Sequence, residues 1–407
     1  MDLPNRPFAL AHTMFWEFTL IGATLPCLPL YFDRLGRSAS DIAFLFAVQS
    51  FVAMMTGQII GYLADTVFLR TRLLMMMALM GALTAALFPL LPADLAWLSL
   101  GMAGVALFLN GRVMIYNALV LDSHRGEALF GKIRLTGSLS FAVAAPVFGY
   151  LTDLPALTVF AIWPAIALLE LCFAASLLFL VDRPPAQRSH RDATRISFRE
   201  AQRTLFANRV LVRFLVLMFG IQLIMLPGQM LQVKLLKDVG ASGAFSALCL
   251  SVAAVAEAIV FAFGNRLIRK FDVIPLLAIV PLTLAVRFAM IALVPTPMVI
   301  LLSNILHMIT FGLAYHCAMI FLNREVPREL KSSGQTLFGI FYSYLSMLVG
   351  SISASWLLQK MMEPTGFGFT ELVALRWLFG IGGAGAVLVM LLWFPLRNAA
   401  ARRIAAE

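Results

Sequence analysis

The residues of this sequence that are most able to do chemistry are ionisable side chains placed inside long apolar stretches. They are Glu17, Arg112, Arg134, Glu170, Glu257, Arg287, His307 and His316. An ionisable side chain at the centre of a bilayer costs about 3 kcal/mol on insertion scales, so it is usually functional, paired or turned toward a polar cavity. So many positions of this kind predict a polar cavity inside an otherwise apolar protein.

The elements that hold these residues must lie in lipid. The chain has 407 residues, of which 61% are hydrophobic and 13% are charged, and its mean hydropathy is +0.90. A water-soluble fold could not enclose so much apolar surface. The apolar runs reach about twenty residues, which is typical of membrane-spanning helices and not of the alternating strands of a barrel.

Twelve spans are predicted from the apolar runs and from the charged, Pro or Gly residues that interrupt them. They cover residues 9–32, 41–63, 73–91, 95–121, 134–153, 156–181, 210–233, 243–265, 274–293, 297–322, 334–360 and 372–395. The polar stretch 182–209 is interpreted as a cytoplasmic linker. It joins an N-terminal six-helix bundle, residues 1–181, to a C-terminal six-helix bundle with a short cytoplasmic tail, residues 210–407.

Charge placement predicts the orientation of the chain. When successive loops are assigned to opposite sides of the membrane, most Lys and Arg residues fall on the side of both termini and the linker. By the positive-inside rule this is the cytoplasmic side of a bacterial-type inner (plasma) membrane. The net charge of +10 follows from this bias, so the expected partner of the basic segments is the lipid bilayer and not nucleic acid.

The loop after the second span carries a recognisable pattern, in which Gly61 is followed by Asp65 and then by Arg70. This pattern resembles the signature of the major facilitator superfamily. Thr66 stands where a basic residue is usual, and Phe68 stands where a glycine is usual. The resemblance implies that Asp65 and Arg70 belong to a cytoplasmic gate, in which Asp65 meets an arginine or a helix N-terminus of the facing half.

Three further segments narrow the resemblance. Residues 131–138 look like the start of the fifth helix in the lactose permease, phenylpropionate permease and nucleoside:proton symporter branches of that superfamily. Arg287 followed by His307 is similar to the lactose permease in residue type and spacing. Residues 325–330 resemble the loop after the tenth helix in the other two branches. The resemblance implies an all-α fold of twelve transmembrane helices in two pseudo-symmetric six-helix bundles, working by alternating access.

The proton-coupling candidates are Glu257, His307 and Glu17. Glu257 ranks first because burial within a span favours the protonated form of a carboxyl, as a proton-coupled cycle requires. A structural ion pair with Arg287 or another arginine is the alternative role. The resemblance implies that His307 binds substrate or tunes protonation, but the acid expected three residues later is Thr310 here. Either Glu257 has taken over proton coupling or the protein is not a proton symporter.

The main substrate-binding candidate of the N-terminal half is Arg134, which the resemblance places at the start of the fifth helix. The lactose permease pairs the matching arginine with a glutamate, whereas the aligned position here is Tyr116. Asp122 or Glu17 is expected to supply the missing charge. The predicted substrate-binding residues are Glu17, Tyr116, Asn117, Arg134, Gln222, Gln229, Glu257, Arg287 and His307.

Two buried acids differ in their expected roles. Glu17 lies in the first span, which lines the cavity in this superfamily, whereas Glu170 lies in the sixth span, which packs outside it. We therefore predict a functional role for Glu17. Glu170 is expected to pair with a neighbouring helix or to reach lipid headgroup water.

The expected function is secondary active transport of a small polar organic solute, such as a sugar, a nucleoside or an aromatic acid. A proton gradient is the expected energy source, with no cofactor and no resident metal, and we expect a monomer. A facilitator or an exporter is the alternative. Copper import is a further one, because the chain holds 21 Met and places His316 three residues before Met319. An enzyme is not expected, since the sequence lacks the Walker, H-E-x-x-H and G-x-S-x-G motifs.

Overall fold

The structure is a computed structural model that describes residues 7–37, 39–109, 112–123, 126–153, 162–180, 197–241, 243–364 and 366–404. Within these ranges every regular element is a helix, which confirms the all-α prediction. The chain forms two compact units. The first is Met1–Thr204 with Leu322–Ile340, and the second is Leu205–Phe321 with Phe341–Glu407.

The helices are numbered along the chain. They are α1 (Pro7–Arg34), α2 (Ala39–Thr66), α3 (Arg70–Leu87), α4 (Leu95–Phe108), α5 (Arg112–Asp122), α6 (Gly126–Asp153), α7 (Ile162–Leu177), α8 (Phe198–Ala207), α9 (Arg209–Asp238), α10 (Gly243–Phe271), α11 (Val273–Leu293), α12 (Pro297–Ser303), α13 (Ala314–Glu325), α14 (Lys331–Gly339), α15 (Ser346–Met362), α16 (Glu371–Val389) and α17 (Trp393–Ile404). The end of α13 and all of α14 therefore group with the first unit, although they follow residue 210 in the sequence.

Many of these helices can cross a bilayer. In the described part of the chain, nine helical stretches are long and apolar enough to do so: Phe44–Thr66, Arg70–Leu90, Leu95–Asp122, Arg209–Leu236, Leu248–Phe271, Val273–Leu293, Pro297–Glu325, Arg328–Met362 and Glu371–Ala401. Ile162–Leu177 is apolar but shorter. The helices α1 and α6 each contain 28 residues, more than the roughly 20 that a span requires.

One predicted boundary is corrected by the structure. The fifth predicted helix begins at Gly126 and not at residue 134, so Arg134 lies within α6 and not at its start. Glu127 in the first turn of α6 complements the positive end of the helix dipole, which favours this earlier start. The predicted fourth span, residues 95–121, agrees with the helical stretch Leu95–Asp122, of which residues 110 and 111 lie outside the described residues.

An aromatic cluster fixes one end of the first unit. The rings of Phe88 and Trp163 stack with their centroids 3.8 Å apart and their planes 12° apart. Tyr31 contacts both rings edge-on, with centroids 5.8 and 5.4 Å away. All three side chains are buried, so the cluster ties α1, the end of α3 and α7 together.

The second part of the predicted linker forms the helix α8, whereas residues 182–196 lie outside the described residues. Ser197 begins α8, since its Oγ accepts a hydrogen bond from the backbone N–H of Glu200 at 3.2 Å. The helix packs on α2 through the rings of Phe198 and Tyr62, whose centroids are 5.4 Å apart. This part of the linker is thus a docked helix and not an extended connection.

Candidate transport site

Asp65 caps the first turn of α14. The residue before this helix offers no side-chain cap of its own. The Asp65 Oδ1 atom accepts from the Ser332 N–H at 2.9 Å, and Oδ2 accepts from the Ser333 N–H at 2.7 Å and the Ser333 hydroxyl at 2.9 Å. A buried carboxylate at the positive end of a helix dipole satisfies the free backbone donors there. Asp65 thus meets a helix N-terminus of the second half of the sequence.

Arg70 completes this contact, and it is fully buried. Its Nη2 donates to Asp65 Oδ1 at 3.1 Å, and its Nε donates to the Ser332 hydroxyl at 2.6 Å. Its Nη1 pairs with Asp122 Oδ2 at 2.5 Å. We call Asp65, Arg70, Asp122, Ser332 and Ser333 the clamp. The clamp joins the end of α2, the start of α3, the end of α5 and the start of α14.

A buried triad of charges lies deeper in the same unit. Glu17 of α1, Arg112 of α5 and Glu170 of α7 are each fully buried. Both Nη atoms of Arg112 donate to Glu170, with Nη2 3.1 Å from Oε1 and Nη1 bonded to Oε2. Glu17 receives only a charge contact, since its Oε2 lies 3.3 Å from Arg112 Nη2 and neither of its oxygens has a hydrogen-bond donor among the described residues.

The packing around the triad is fitted to it. A Cβ at Gly81 of α3 would lie 3.0 Å from Glu170 Cδ, so a larger residue there would have to displace this carboxylate. The Phe173 ring lies 4.8 Å from Arg112 Cζ and covers the guanidinium. The partner that the sequence left open for Glu170 is therefore Arg112. The sequence alone does not predict the pairing of Glu170 with Arg112, because that pairing depends on α5 and α7 being neighbours.

The other N-terminal candidates have structural partners. Arg134 Nη1 donates to the Ser138 hydroxyl at 2.9 Å, and Arg134 Cζ lies 3.8 Å from the centre of the Phe18 ring. The Tyr116 hydroxyl donates to the Leu10 carbonyl at 2.5 Å, and Asn117 is fully buried. The acids expected beside Arg134 have other arginines as partners. This corrects the expectation, because Asp122 pairs with Arg70 and Glu17 pairs with Arg112.

Arg287 is the centre of a polar cluster in the second unit, where it is 1% exposed. Its Nη1 lies 3.0 Å from His307 Nδ1 and 3.4 Å from the Thr310 hydroxyl. Its Nη2 donates to Asn304 Oδ1 at 2.9 Å and to Gln232 Oε1 at 3.4 Å. Every one of these partners is uncharged. The described ion pairs of the chain do not include Arg287, so its suggested pairing with Glu257 is absent from this conformation.

The Arg287 contact determines the state of His307. A guanidinium only donates, so the Nδ1 of His307 must accept, and the ring proton of the neutral imidazole is on Nε2. Gln229 lies beside the ring, with its Nε2 3.3 and 3.4 Å from the two ring nitrogens. The amide oxygen and nitrogen of a glutamine can be exchanged by rotation, which would turn the oxygen toward the Nε2–H. His307 therefore acts as a neutral link between Arg287 and Gln229.

The backbone around this cluster departs from α geometry. The segment Asn304–Leu306 is a 3-10 helix, and Met308–Leu313 and Ile340–Leu345 are π-helices. Short π segments inside helices are frequent at functional sites, because the extra residue turns neighbouring side chains toward one place. The sequence did not indicate these segments or the role of Asn304.

The two π segments meet through aromatic rings. Phe311 stacks on His307 with centroids 5.1 Å apart and on Tyr315 with centroids 5.6 Å apart. The Tyr342 ring lies 6.4 Å from Phe311 and 5.8 Å from Tyr315. His307, Tyr315 and Tyr342 are buried, whereas Phe311 is partly exposed. These four rings form what we call the aromatic wall.

Glu257 of α10 packs against the π segment. A Cβ at Gly312 would lie 3.0 Å from Glu257 Cβ and 3.1 Å from Glu257 Cα. Glu257 is 7% exposed, so the close approach of the two backbones holds it in place beside the cluster. Gln222 of α9, another predicted binding residue, is also buried, with its Oε1 not hydrogen bonded within the described structure.

Gly312→Ala is expected to lower the free energy of unfolding by about 1–3 kcal/mol, because the added methyl group must push the two helices apart. Gly380→Ala is the matched control in the same unit, since a Cβ there meets only Ala292 Cβ at 3.8 Å. It should raise stability by up to about 1 kcal/mol through the higher helix propensity of alanine. Thermal unfolding of both variants measures the difference. Equal stabilities would contradict the close packing of Glu257.

His316 has a packing role. Its Nε2 lies 2.7 Å from Asn265 Oδ1, and a Cβ at Gly264 would lie 2.8 Å from its ring. This contact occupies the Nε2 atom of His316 in this conformation. Among the described residues no group of three or more His, Cys, Asp or Glu side chains is placed to hold a metal ion.

Comparison with known proteins supports a transport function. The family model described as "MFS_1 like family" matches residues 8–367. The maltose permease of Geobacillus stearothermophilus is 25% identical over 85% of this chain and 86% of its own length. The probable 3-phenylpropionic acid transporter of Escherichia coli (strain K12) is 27% identical over 79% and 83%, respectively.

The fold is also that of solved transporters. The structure of the proton:xylose symporter XylE superposes with a TM-score of 0.73 at 14% identity, over 95% of this chain and 94% of that chain. This superposition confirms the predicted all-α transporter fold, and the family model confirms the resemblance drawn from the sequence motifs. The protein is a multi-pass membrane transporter and not an enzyme, and it belongs to the MFS_1-like family of the major facilitator superfamily.

Proposed function

We propose that the protein moves a small polar organic solute across the inner membrane by alternating access, as a proton symporter acting as a monomer. Both termini lie in the cytoplasm in this proposal, as the distribution of Lys and Arg predicts. The relatives support a small organic solute, since one is a maltose permease and another is a probable 3-phenylpropionic acid transporter. XylE, which has the same fold, is a proton:xylose symporter.

The buried triad is the observation that carries the proton-coupling part of this proposal. Two carboxylates share a single guanidinium in a fully buried place, so the ionised triad would hold one uncompensated negative charge. A buried charge of this kind costs several kcal/mol, and a single proton removes it. Because Arg112 donates both of its hydrogen bonds to Glu170, Glu17 is the carboxyl that takes the proton.

The proton cycle follows from this arrangement. When Glu17 is protonated, the triad is neutral and compatible with its dry surroundings. When Glu17 releases the proton, Arg112 has to serve two carboxylates on different helices, α1 and α7. A change in the relative stability of two conformations is then produced by one proton, which is what gradient-driven transport requires. The clamp at Asp65 supplies a cytoplasmic gate in the same scheme.

Glu17→Gln is expected to abolish uphill, gradient-driven accumulation of solute while preserving solute exchange. Glutamine keeps the shape and hydrogen bonding of a protonated carboxyl but cannot release a proton. Exchange needs only the loaded carrier to reorient, so it survives. The measurement is uptake and counterflow in proteoliposomes with an imposed pH gradient.

Parallel variants separate the candidates. Glu257→Gln tests the acid that the sequence ranks first, and Glu170→Gln tests the carboxyl that holds Arg112. If Glu17→Gln retained full uphill uptake and Glu257→Gln lost it, the proton-carrying residue would be Glu257 of α10 and not Glu17. If uptake by the unaltered protein did not depend on the pH gradient, the protein would be a facilitator. The observation that supports a facilitator is Thr310, which occupies the position of the usual coupling acid.

A further inference from the structure

We propose that Arg287 binds the carboxylate of an aromatic organic acid, whose ring lies against the aromatic wall. The proposal rests on the transport function proposed above and names the class of solute. It assigns the charge of the solute to Arg287, whose guanidinium is held in place by Asn304 and His307, and it assigns the ring to Phe311 and its neighbours.

The charge of Arg287 is the first argument. Arg112 and Arg287 are both fully buried within helical spans, but their surroundings differ sharply. Arg112 faces two carboxylates, whereas the four described partners of Arg287 are all neutral. A buried guanidinium without a counter-charge is costly, and a bound anion removes the cost. An anion bound beside Arg287 would therefore compensate its charge and stabilise the second unit.

The hydrogen bonds of Arg287 are the second argument. Its contacts to Gln232 and Thr310 are both long, at 3.4 Å, and its Nε donates to none of the described residues. The contacts to His307 and Asn304 are short and fix the plane of the guanidinium. A carboxylate can thus take the Nε–H and displace a weak contact without disturbing the strong ones. Arginine binds carboxylates in this two-point manner.

The aromatic wall is the third argument. Phe311 stacks on His307, which itself contacts Arg287, so an apolar ring surface begins directly beside the guanidinium. Phe311 is the partly exposed member of the wall, and its ring contacts those of the buried Tyr315 and Tyr342. A planar ring gains contact on such a surface, whereas a sugar needs many polar partners. Charge and ring together define an aromatic carboxylate.

The test uses phenylacetate and its neutral isostere phenylacetamide with the purified full chain. We expect phenylacetate to raise the melting temperature and phenylacetamide to fail at equal concentration. Arg287→Gln should weaken phenylacetate binding by at least about 30-fold, since it removes one partner of a buried charge pair. Phe311→Leu should weaken it by about tenfold while leaving discrimination against the amide intact.

The ligand-free melting temperature provides a readout that does not depend on binding. If Arg287 has no counter-charge, Arg287→Gln leaves the ligand-free protein at least as stable as the unaltered one. Arg112→Gln is the matched control and should destabilise it. A clear drop for Arg287→Gln would overturn the proposal, because it would mean that a structural partner compensates the charge. Equal binding of acid and amide, or no binding of phenylacetate, would also overturn it.

The outcomes separate this inference from the transport proposal. Saturable, gradient-driven uptake of maltose with no response to phenylacetate would leave the transporter proposal standing and refute the aromatic acid. Phenylacetate binding that Arg287→Gln abolishes, without gradient-driven uptake of phenylacetate, would support the site and refute proton symport.

Discussion

Arg112→Gln is expected to lower the melting temperature by on the order of 10 °C and to reduce the yield of folded protein. The substitution leaves Glu17 and Glu170 buried together with no cation, and breaking one side of a buried ionic group costs about 3–5 kcal/mol. Thermal unfolding in detergent, followed by tryptophan fluorescence or by size-exclusion chromatography after heating, measures the effect.

The control for this prediction neutralises the whole triad. The triple variant Glu17→Gln, Arg112→Gln and Glu170→Gln removes all three charges at once, so it should recover most of the stability that the single variant loses. Its transport should remain uncoupled from the proton gradient. An Arg112→Gln protein as stable as the unaltered chain would mean that the two carboxylates are already neutral, and the proton scheme would need to be abandoned.

The second large effect is expected at the clamp. Asp65→Asn replaces one acceptor oxygen of the carboxylate by a donor, and either orientation of the amide leaves a buried N–H of Ser332 or Ser333 without its acceptor. The unpaired N–H should destabilise the closed clamp by about 1–3 kcal/mol. Loss of the negative charge at the helix N-terminus should destabilise it by a further amount of at most about 1 kcal/mol. The start of α14 should therefore separate from α2 far more often.

Cysteine labelling measures this opening. Thr336 is 4% exposed, so a cysteine introduced there should react slowly with a maleimide in the unaltered background and at least about tenfold faster with Asp65→Asn. Asp94→Asn is the matched control, because Asp94 also caps a helix, accepting from the Trp97 N–H at 3.2 Å, but lies outside the clamp. A clamp role for Asp65 would be refuted by equal labelling rates in the two variants.

The fold could be predicted from the sequence because its signal is long and redundant. Apolar runs of about twenty residues can be recognised even when each end is misjudged by several residues, and the predicted span 274–293 lies within one residue of the observed bounds of α11. The start of α6 was missed because the polar residues before Arg134 were interpreted as a loop. In a helix that emerges from the bilayer, polar residues are equally stable, so hydropathy alone cannot find its end.

The sites were predictable in part. Asp65 and Arg70 were found because their spacing forms a local motif, and the helix N-terminus expected to meet Asp65 is provided by α14. Arg287 and His307 were also singled out together, and they are in contact. The pairing of Glu170 with Arg112 depends on which helices are neighbours, and the π segments depend on one inserted residue. Neither is encoded in a short stretch of sequence.

The docking of α8 has a consequence for observing transport. The Gln58 amide accepts from Gln202 of α8 at 2.7 Å, and its nitrogen donates to the Ser333 carbonyl and the Thr336 hydroxyl of α14, each at 3.3 Å. The Gln58 side chain therefore connects the linker helix α8 to α14, which carries part of the clamp. A fluorescent label that replaces the exposed Arg199 of α8 should change its signal when the clamp opens and closes. Such a label requires no substitution in the membrane-spanning helices.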